Sequence, residues 1–347
     1  LAAVVALAAC SNEEVIVADK GAAIGFDTFV ENSTRINDPS LTTETMKTAG
    51  FGVYGFVTNE VDGNDVTAPL FTNEHISWNG TTWTYGTKQY WMDGATYDFA
   101  AIAPYDENNA KYTVTEANRD GVTLRFTNDG VTDLLYAQNN AAPHETVGFT
   151  FKHLLSKVKF TFTNNYDATN TVIAVKNIVI DDAYAEGVAN LGRDANGVTA
   201  DWTVEAADAT LVLEFGNANP AAGYIAYDAS QESDNALLLI PTASTETTST
   251  YNVTFTIDLL YQNGVNGAGD PVYVKVQEYT HTVALTHDFD FGKSYNVATA
   301  INHTNIVPDD PNDPNDDNEQ KSIEFTVDEI IGWVDGGNAG VVFPENN

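Results

Sequence analysis

Short runs of alternating apolar and polar residues, each bounded by Gly, Asn, Asp or Pro, recur along almost the whole sequence. This two-residue period is typical of strands with one buried face, and no run has the apolar spacing of a long helix. The runs cover residues 50–58, 76–85, 97–103, 111–114, 122–126, 147–153, 157–163, 171–180, 210–215, 236–240, 251–261 and 272–285. We therefore expect an all-β protein built from sandwiches.

The chain is long enough for two such domains. Its 347 residues exceed the usual domain length of roughly 100–150 residues. The segment Ala141-Ala142-Pro143-His144 separates two sets of runs without a Gly/Ser tract, so the junction is direct. We predict a signal tail and tether over residues 1–21, an N-terminal β-sandwich over 22–146 and a C-terminal β-sandwich over 147–347.

Charge and cysteine content exclude several classes of protein. Fifteen Lys and Arg against 49 Asp and Glu give a net charge of −34. An acidic surface of this size repels phosphate backbones, so we expect no nucleic-acid partner. A single cysteine forms neither an internal disulfide nor a thiolate zinc site. Packed sheets must therefore stabilise the fold, and we expect no cofactor.

The first residues resemble the end of a bacterial lipoprotein signal. An apolar run ends in Leu7-Ala8-Ala9-Cys10, and Ser11-Asn12-Glu13-Glu14 follows. Small residues before the cysteine suit a signal peptidase, and the thiol of Cys10 is the group that receives the lipid. The visible apolar run is far shorter than the about 20 residues of a transmembrane helix. We predict that Cys10 carries acyl chains, palmitate among them, and anchors the protein in the outer membrane.

A candidate first strand precedes a loop that contains an arginine. Ile24, Phe26 and Phe29 are expected on one side of a strand within residues 22–30. Turn-forming residues follow, and Arg35 lies among them. We therefore expect Arg35 to lie in an exposed loop, as an ordinary solvated arginine would.

An acidic, proline-rich stretch interrupts the C-terminal part at residues 308–318. Like charges and prolines favour an extended chain. A calcium loop is the alternative, but the prolines break the ligand spacing and the glycine of the known loop is missing. A strand follows at 322–327, and it can pair with its own sheet or with the sheet edge of another molecule.

Residues that signal enzyme chemistry do not form known motifs. No Gly-x-Ser-x-Gly sequence is present, and Gly292-Lys293-Ser294 lacks the upstream glycine of a phosphate-binding loop, since His287 occupies that position. The six histidines are scattered without the spacing of a metal site. We expect no enzyme activity and no metal, and a structural, hydrogen-bonded role for His153.

Aromatic residues concentrate between residues 78 and 91. Trp78, Trp83 and Trp91 could form a flat platform for sugar rings, or they could belong to the core and its strands. The segment Asn79-Gly80-Thr81 between two of them reads as a hairpin turn.

The order of these motifs resembles the fimbrillin family of Bacteroidales, over nearly the whole chain. The motifs are the lipobox at Cys10, ISW at 76–78 with WTY at 83–85, QYW at 89–91, YDFAAIAP at 97–104, FKHLLSKV at 151–158 and FTVDEIIGW at 325–333. The resemblance implies two transthyretin-like β-sandwich domains, export as a lipoprotein and assembly into pili by strand exchange. In that scheme an arginine-specific protease removes the N-terminus with its first strand, and a strand of the next subunit fills the groove.

The resemblance also implies roles for particular residues. Arg35 matches the cleavage position, and the strand with Ile24, Phe26 and Phe29 would be removed. The candidate donor residues lie in the C-terminal part: Ile323, Phe325, Val327, Val341 and Phe343. The segment Val341-Val342-Phe343 extends beyond the usual ending of the family, either as a donor or as an edge strand.

Two hypotheses for the function follow. The first is a fimbrial subunit, in the shaft, anchor or tip, which binds other fimbrial subunits and contributes to adhesion and biofilm at the cell surface. The alternative is a monomeric lipoprotein adhesin of the outer membrane that binds a glycan or a host protein.

Overall fold

A computed structural model describes residues 22–30, 41–166, 170–205, 207–215, 224–242, 249–307 and 323–330. Cys10, Arg35, Val341, Phe343 and the acidic stretch 308–318 lie outside these residues. The elements are β1 (Phe26–Val30), α1 (Thr43–Ala49), β2 (Phe51–Val61), β3 (Asn64–Trp78), β4 (Trp83–Thr84), β5 (Thr96–Ala103), β6 (Tyr112–Asn118), β7 (Gly121–Thr127), β8 (Leu135–Ala141), β9 (Val147–His153), β10 (Ser156–Asn164), β11 (Thr171–Tyr184), β12 (Glu186–Asp194), β13 (Gly197–Val204), β14 (Ala207–Leu213), β15 (Ile225–Ala226), β16 (Ala229–Glu232), β17 (Leu237–Leu239), β18 (Thr250–Val265), β19 (Pro271–Thr286), β20 (Ser294–Ile301) and β21 (Thr326–Ile330).

The predicted all-β class is confirmed, and the reason is visible in the alternation of side chains. In β10, Val158, Phe160 and Phe162 are fully buried. Lys159, Thr161 and Thr163, which alternate with the buried residues, are partly exposed. Each strand therefore presents one apolar face to a neighbouring layer.

Tight turns connect the strands of the hairpins. Asp62 and Gly63 both have positive φ, at 52° and 76°, as a two-residue turn of type I′ requires. At the predicted turn after Trp78, the Asn79 amide donates to the Thr82 carbonyl at 3.1 Å, and Gly80 has a φ of 98°. Glycine is favoured there because side chains rarely adopt this backbone conformation.

The helix α1 lies in a stretch where the sequence patterns predict neither a helix nor a strand. A capping box holds its first turn, in which Thr42 and Thr45 bond each other's backbone amides through their side chains. Met46 is fully buried and fixes the helix against the first sheet. Among the described helices none is both long and apolar enough to cross a membrane.

Seven strands form the first sheet, in the order β1-β9-β8-β5-β2-β3-β4. The pair of β1 with β9 is parallel. A bridge between Ala23 and Tyr90 links the chain before β1 to the chain after β4, so the sheet curls round its inner face. That face encloses the first core, which contains Phe51, Phe99 and Phe149.

A four-stranded sheet, β13-β12-β7-β6, covers the outer face of the first sheet. The middle core between the two sheets contains Tyr136, Leu124, Leu191 and Trp202. The predicted domain boundary near Thr146 divides the chain into folding units and stays a prediction. The sheets do not divide at this residue, because β9 pairs with β8 and β12 pairs with β7, so strands from both sides of the boundary share a sheet.

Two five-stranded sheets form the C-terminal sandwich. One contains β16-β10-β20-β21 with β17 beside β10, and the other contains β14-β11-β18-β19 with β15 beside β11. The C-terminal core between them includes Phe160, Phe162, Ile257 and Val297. The strands β19 and β21 lie at the edges of their sheets.

Candidate functional site: the first strand and its groove

The strand β1 lies at the edge of the first sheet and has a neighbour along its length only at β9. Its register runs from Phe26 opposite Val147 to Val30 opposite Phe151. Just before it, the Ile24 amide donates to the Gln89 carbonyl at 2.9 Å. Backbone pairing with β9 on one side and with residues 89–91 on the other therefore holds this end of the chain in the sheet.

The inward side chains of Ile24 and of β1 fill an apolar groove. Ile24, Phe26 and Val30 are 2%, 7% and 2% exposed. The aromatic rings around Phe26 define what we call the β1 groove, with ring centroids 5.6 to 6.1 Å away: Phe71, Tyr85, Phe99 and Phe149. Aromatic contacts of this kind add to the burial of apolar area.

One polar side chain of the groove also binds the backbone just before β1. The Tyr85 hydroxyl donates to the Ile24 carbonyl at 2.8 Å. Burial raises the pKa of Tyr85 above its ordinary value, so the hydroxyl keeps its proton and its donor role at neutral pH.

Phe29 does not lie beside Ile24 and Phe26, contrary to the sequence prediction. It is 58% exposed and pairs with Thr150, which is exposed as well. Successive side chains of a strand point to opposite faces, so the inward positions are even-numbered and Val30 takes the place expected for Phe29. The sequence reasoning missed Val30, although its even spacing from Phe26 was a usable signal.

Hydrogen bonds fix the chain on both sides of residues 31–40. On one side, the Val30 amide donates to Thr43 Oγ1 at 3.1 Å. On the other, the Leu41 amide donates to Asp133 Oδ2 at 2.7 Å. The predicted cleavage position Arg35 falls between these anchors and outside the described residues.

His153 has the structural, hydrogen-bonded role expected from the sequence. Its Nδ1 lies 2.8 Å from Asp133 Oδ2, and both side chains are almost completely buried. The same carboxylate accepts from the Leu41 amide. Asp133 therefore joins β9 to the start of α1, a role that the sequence reasoning missed because the partners are distant along the chain.

Three of the candidate donor residues are described, and they lie in the C-terminal sandwich. The strand β21 pairs antiparallel with β20. Ile323 is 5% exposed, and Phe325 contacts Phe160 and Phe255 with ring centroids 6.1 and 6.0 Å apart. Val327 packs at the border of the C-terminal core. This segment thus occupies a position in its own molecule.

The tryptophans do not form one exposed platform. Trp91 is 5% exposed and packs edge-on against Tyr97 at 4.6 Å, so it belongs to the first core. Trp83 borders the same core, and Trp78 packs edge-on against it at 5.4 Å. The reading as core and strand aromatics accounts for them better than a sugar platform.

The described residues contain no cluster of three or more His, Cys, Asp or Glu placed to hold a metal ion. Strand β1 occupies the groove through apolar burial together with backbone pairing.

Fold and groove together define a β-sandwich protein whose first strand fills an apolar groove at a sheet edge. A family model described as fimbrillin-like matches residues 34–312. This match covers well over half of the chain, and the chain therefore belongs to the fimbrillin-like family. Family membership supports a fimbrial or adhesin-like role at the cell surface.

Solved structures give similar proteins at low identity. A protein of Bacteroides ovatus, provisionally named a cell adhesion protein, has 14% identity and a TM-score of 0.50, with 90% of this chain and 98% of that chain covered. A protein of Bacteroides uniformis with the same provisional name has 16% identity and a TM-score of 0.45, with 90% and 98% covered. The fimbrial anchor protein Mfa2 of Porphyromonas gingivalis has 11% identity and a TM-score of 0.33, with 88% and 97% covered. The first likeness shows a shared fold. None of the curated proteins compared with the sequence matches it.

Proposed function

We propose that this protein is a fimbrial subunit that is exported as a lipoprotein through Cys10 and assembled by strand exchange after cleavage at Arg35. Its partners are other fimbrial subunits, and its location is the outer membrane and then the fimbrium. Family membership supports the fimbrial part of this proposal.

The observation that carries the proposal is the placement of β1. It is an edge strand, residues 24–30 bury three apolar side chains, and the residues after it contain Arg35. Burial of such side chains stabilises by roughly 1.5 to 3 kcal/mol each. Loss of β1 therefore exposes a groove in which a replacement strand can bury its apolar side chains. That burial stabilises the complex by about 5 to 9 kcal/mol before the costs of association are subtracted.

The groove sets the pattern that a replacement strand must have. Its inward positions are two residues apart, as in Ile24 and Phe26. The segment Ile323, Phe325 and Val327 has this spacing, and so do Val341 and Phe343. The first set would have to leave β20 and the C-terminal core before it could act as a donor. We therefore favour the Val341-Phe343 segment as the donor.

The test is digestion of the purified full chain, expressed without the lipid, with an arginine-specific protease. We expect a new N-terminus at Ile36 and a ladder of heat-sensitive oligomers on a non-boiled gel. The matched control is Arg35→Lys, which keeps the charge but removes the cleavage site. A peptide of residues 22–32 should refill the groove and suppress the ladder.

Each outcome decides between the hypotheses. A terminus at Ile36 with a persistent monomer contradicts strand exchange. Resistance at Arg35 contradicts processing at this position and supports the monomeric adhesin. A terminus after Arg119, in the turn between β6 and β7, contradicts the proposed site as well.

The lipid anchor has its own test. In cells, Cys10→Ala should abolish incorporation of a labelled lipid precursor, because the thiol is the acceptor of the lipid. Undiminished labelling of the variant would contradict the anchor at Cys10 without affecting the groove.

A further inference from the structure

The strand β19 has the longest open edge among the described sheets. Each sheet ends in a strand with a single neighbour, and β19 has 16 residues, twice as many as β13, the next longest of these strands. Among the described strands only β18 pairs with β19. An open edge of this length offers a row of backbone donors and acceptors to another strand.

Alternate residues of β19 direct their backbone groups to the open edge. In one half of the strand, the His287 amide donates to the Ser249 carbonyl at 3.0 Å, which sets the phase of the pairs that β18 and β19 form with each other. In the other half, the Gln262 amide donates to the Asn170 carbonyl at 2.9 Å, so Gln262 faces β11 and the residue opposite it faces the edge. The edge-facing residues on the two sides of the register shift near Leu260 therefore include Tyr273, Lys275, Thr282 and Ala284.

The strand carries no net charge in a protein whose net charge is −34. Lys275 and Glu278 are its only Lys, Arg, Asp or Glu residues, and their side chains form an ion pair at 2.8 Å. Burial lowers the pKa of His281, so this residue is also neutral at pH 7. Two copies of so acidic a chain repel each other over most of their surfaces, and β19 gives them a neutral line of approach.

The strand is complementary to itself in the antiparallel direction. Complete overlap of two copies of β19 brings edge-facing residues together on both sides of the register shift, which lies between the two ladders. Lys275 of one copy then lies opposite Thr282 of the other, and Tyr273 lies opposite Ala284 in the same way. Glu278 falls opposite a tyrosine, so no like charges meet directly.

Exposed valines gain apolar neighbours in the same arrangement. Val272, Val274 and Val276 are 39%, 48% and 61% exposed. Complete overlap places Val272 opposite Leu285 of the second copy, which belongs to the C-terminal core. It places Val274 opposite Val283, which packs against that core. Residues directly opposite each other share a face of the sheet, so the valines extend the apolar face of the neighbouring sandwich.

We propose that two copies of this chain associate through their β19 edges, antiparallel and around a twofold axis, so that one sheet runs from β14 of one copy to β14 of the other. A twofold interface requires a surface that is complementary to itself, and β19 meets this requirement. The association uses neither β1 nor its groove and needs no cleavage at Arg35. It therefore goes beyond the fimbrial assembly proposed above and can fail independently of it.

The test is sedimentation velocity of the uncleaved full chain, expressed without the lipid, from low to high micromolar concentration. We expect an equilibrium between monomer and dimer whose dissociation constant falls several-fold when salt is raised, because salt screens the repulsion between two acidic molecules. A monomer at every concentration would overturn the proposal. An association that salt weakens would overturn it as well, because it would indicate an interface held by ion pairs.

Variants locate the interface. Val274→Glu should weaken dimerisation by about tenfold or more, because pairing would bury a carboxylate without a partner. The control is Val212→Glu, which adds the same charge at a residue that is 55% exposed on β14, the opposite edge of the same sheet, and it should change the dissociation constant by no more than about twofold. An unchanged dimer in Val274→Glu, or an equal loss in the control, would contradict the assignment to β19.

Hydrogen exchange follows the edge itself. The amides of Thr282 and Ala284 should exchange several-fold more slowly at high protein concentration than at low concentration, whereas the amides of the edge strand β13 should not change. Slow exchange at every concentration would show that the edge is covered within a single molecule. Either that result or fast exchange at every concentration would refute the proposed pairing.

Discussion

The two phenylalanines of β1 have opposite surroundings, although they are three residues apart. Phe26 lies among four aromatic rings and is 7% exposed, whereas Phe29 is 58% exposed. Strand parity alone separates them, because an odd step along a strand changes the face. A single residue position therefore decides whether a side chain fills the groove or lies on the exposed face of the strand.

We predict that Phe26→Ala lowers the free energy of unfolding by about 3 to 5 kcal/mol, the usual cost of removing a buried ring. Phe29→Ala, the same substitution in the same strand, should change it by no more than about 0.5 kcal/mol. Urea denaturation of both variants measures the difference. Equal losses would show that β1 does not have the inward and outward faces described above.

Asp129 contributes to the stability of the fold, and its contribution depends on pH. Its carboxylate binds the Lys111 ammonium at 2.5 Å and the Thr132 hydroxyl at 2.7 Å. Burial acts to raise the pKa of Asp129, but these partners and two backbone amides outweigh it and lower the pKa from 3.8 to about 2. A carboxyl whose folded pKa is depressed stabilises the protein above its unfolded pKa and loses that effect as the pH falls.

We predict that Asp129→Asn costs about 1 to 2 kcal/mol near pH 6, a figure reduced for partial solvent screening. The difference from the wild type should shrink between about pH 4 and pH 2 and vanish below it. Urea denaturation across this pH range measures it. The control is Asp194→Asn, at another turn aspartate; a pH-independent difference for Asp129→Asn would refute the linkage.

At the scale of elements, the contact between β7 and β12 depends on glycine. A methyl group on Gly121 would lie 2.0 Å from the Leu191 carbonyl oxygen, and Gly121 pairs with Gly192 across the two strands. The backbones approach too closely there for any side chain. This pairing attaches the β12–β13 hairpin to the sheet that covers the middle core.

We expect Gly121→Ala to lower the free energy of unfolding by about 1 to 3 kcal/mol, because one of the two strands must shift. Gly25→Ala is the control, since a methyl group there has no other atom within 4 Å. Hydrogen exchange should show faster opening of β7 and β12 in the first variant. Unchanged exchange in β12 would contradict the close approach.

Helix α1 shows the limit of sequence patterns at this scale. It is seven residues long, too short for a helical period to stand out, and its N-cap Thr42 is one threonine among many in a Thr-rich protein. The buried Met46 and the tie from Leu41 to Asp133 stabilise it, and both depend on the first sheet. Tertiary packing thus stabilises a helix that local propensity does not predict.

At the scale of the whole molecule, β17 connects two cores. Leu237 and Leu239 belong to the C-terminal core, while Leu238 and Ile240 belong to the middle core. Alternation along one strand therefore places consecutive leucines in different layers. The two sandwiches share a structural element, although the sequence predicts a direct junction near Thr146.

We predict that Leu238→Ala destabilises both sandwiches together, by about 2 to 5 kcal/mol. Native-state hydrogen exchange should show lower protection in β7 and in β18 to a similar extent. The exposed Val212, at 55%, supplies a control as Val212→Ala. Loss of protection in β7 alone would indicate separate folding units and support the predicted division of the chain.

The sequence by itself determined the all-β class, many of the strands and the turn at Asn79-Gly80, because alternation and turn residues act between neighbours in the chain. It did not predict β8, β12, β13 or β20. It also indicated a structural His153 and an apolar first strand with Ile24 and Phe26. These features need no knowledge of distant partners.

Only the tertiary structure decided which strands pair and which side chains meet. The parallel pair of β1 with β9 and the contact of His153 with Asp133 join residues far apart in the sequence. Many strands have similar alternation, so local patterns do not distinguish their partners. Burial of complementary faces selects the partners, and burial is a property of the whole fold.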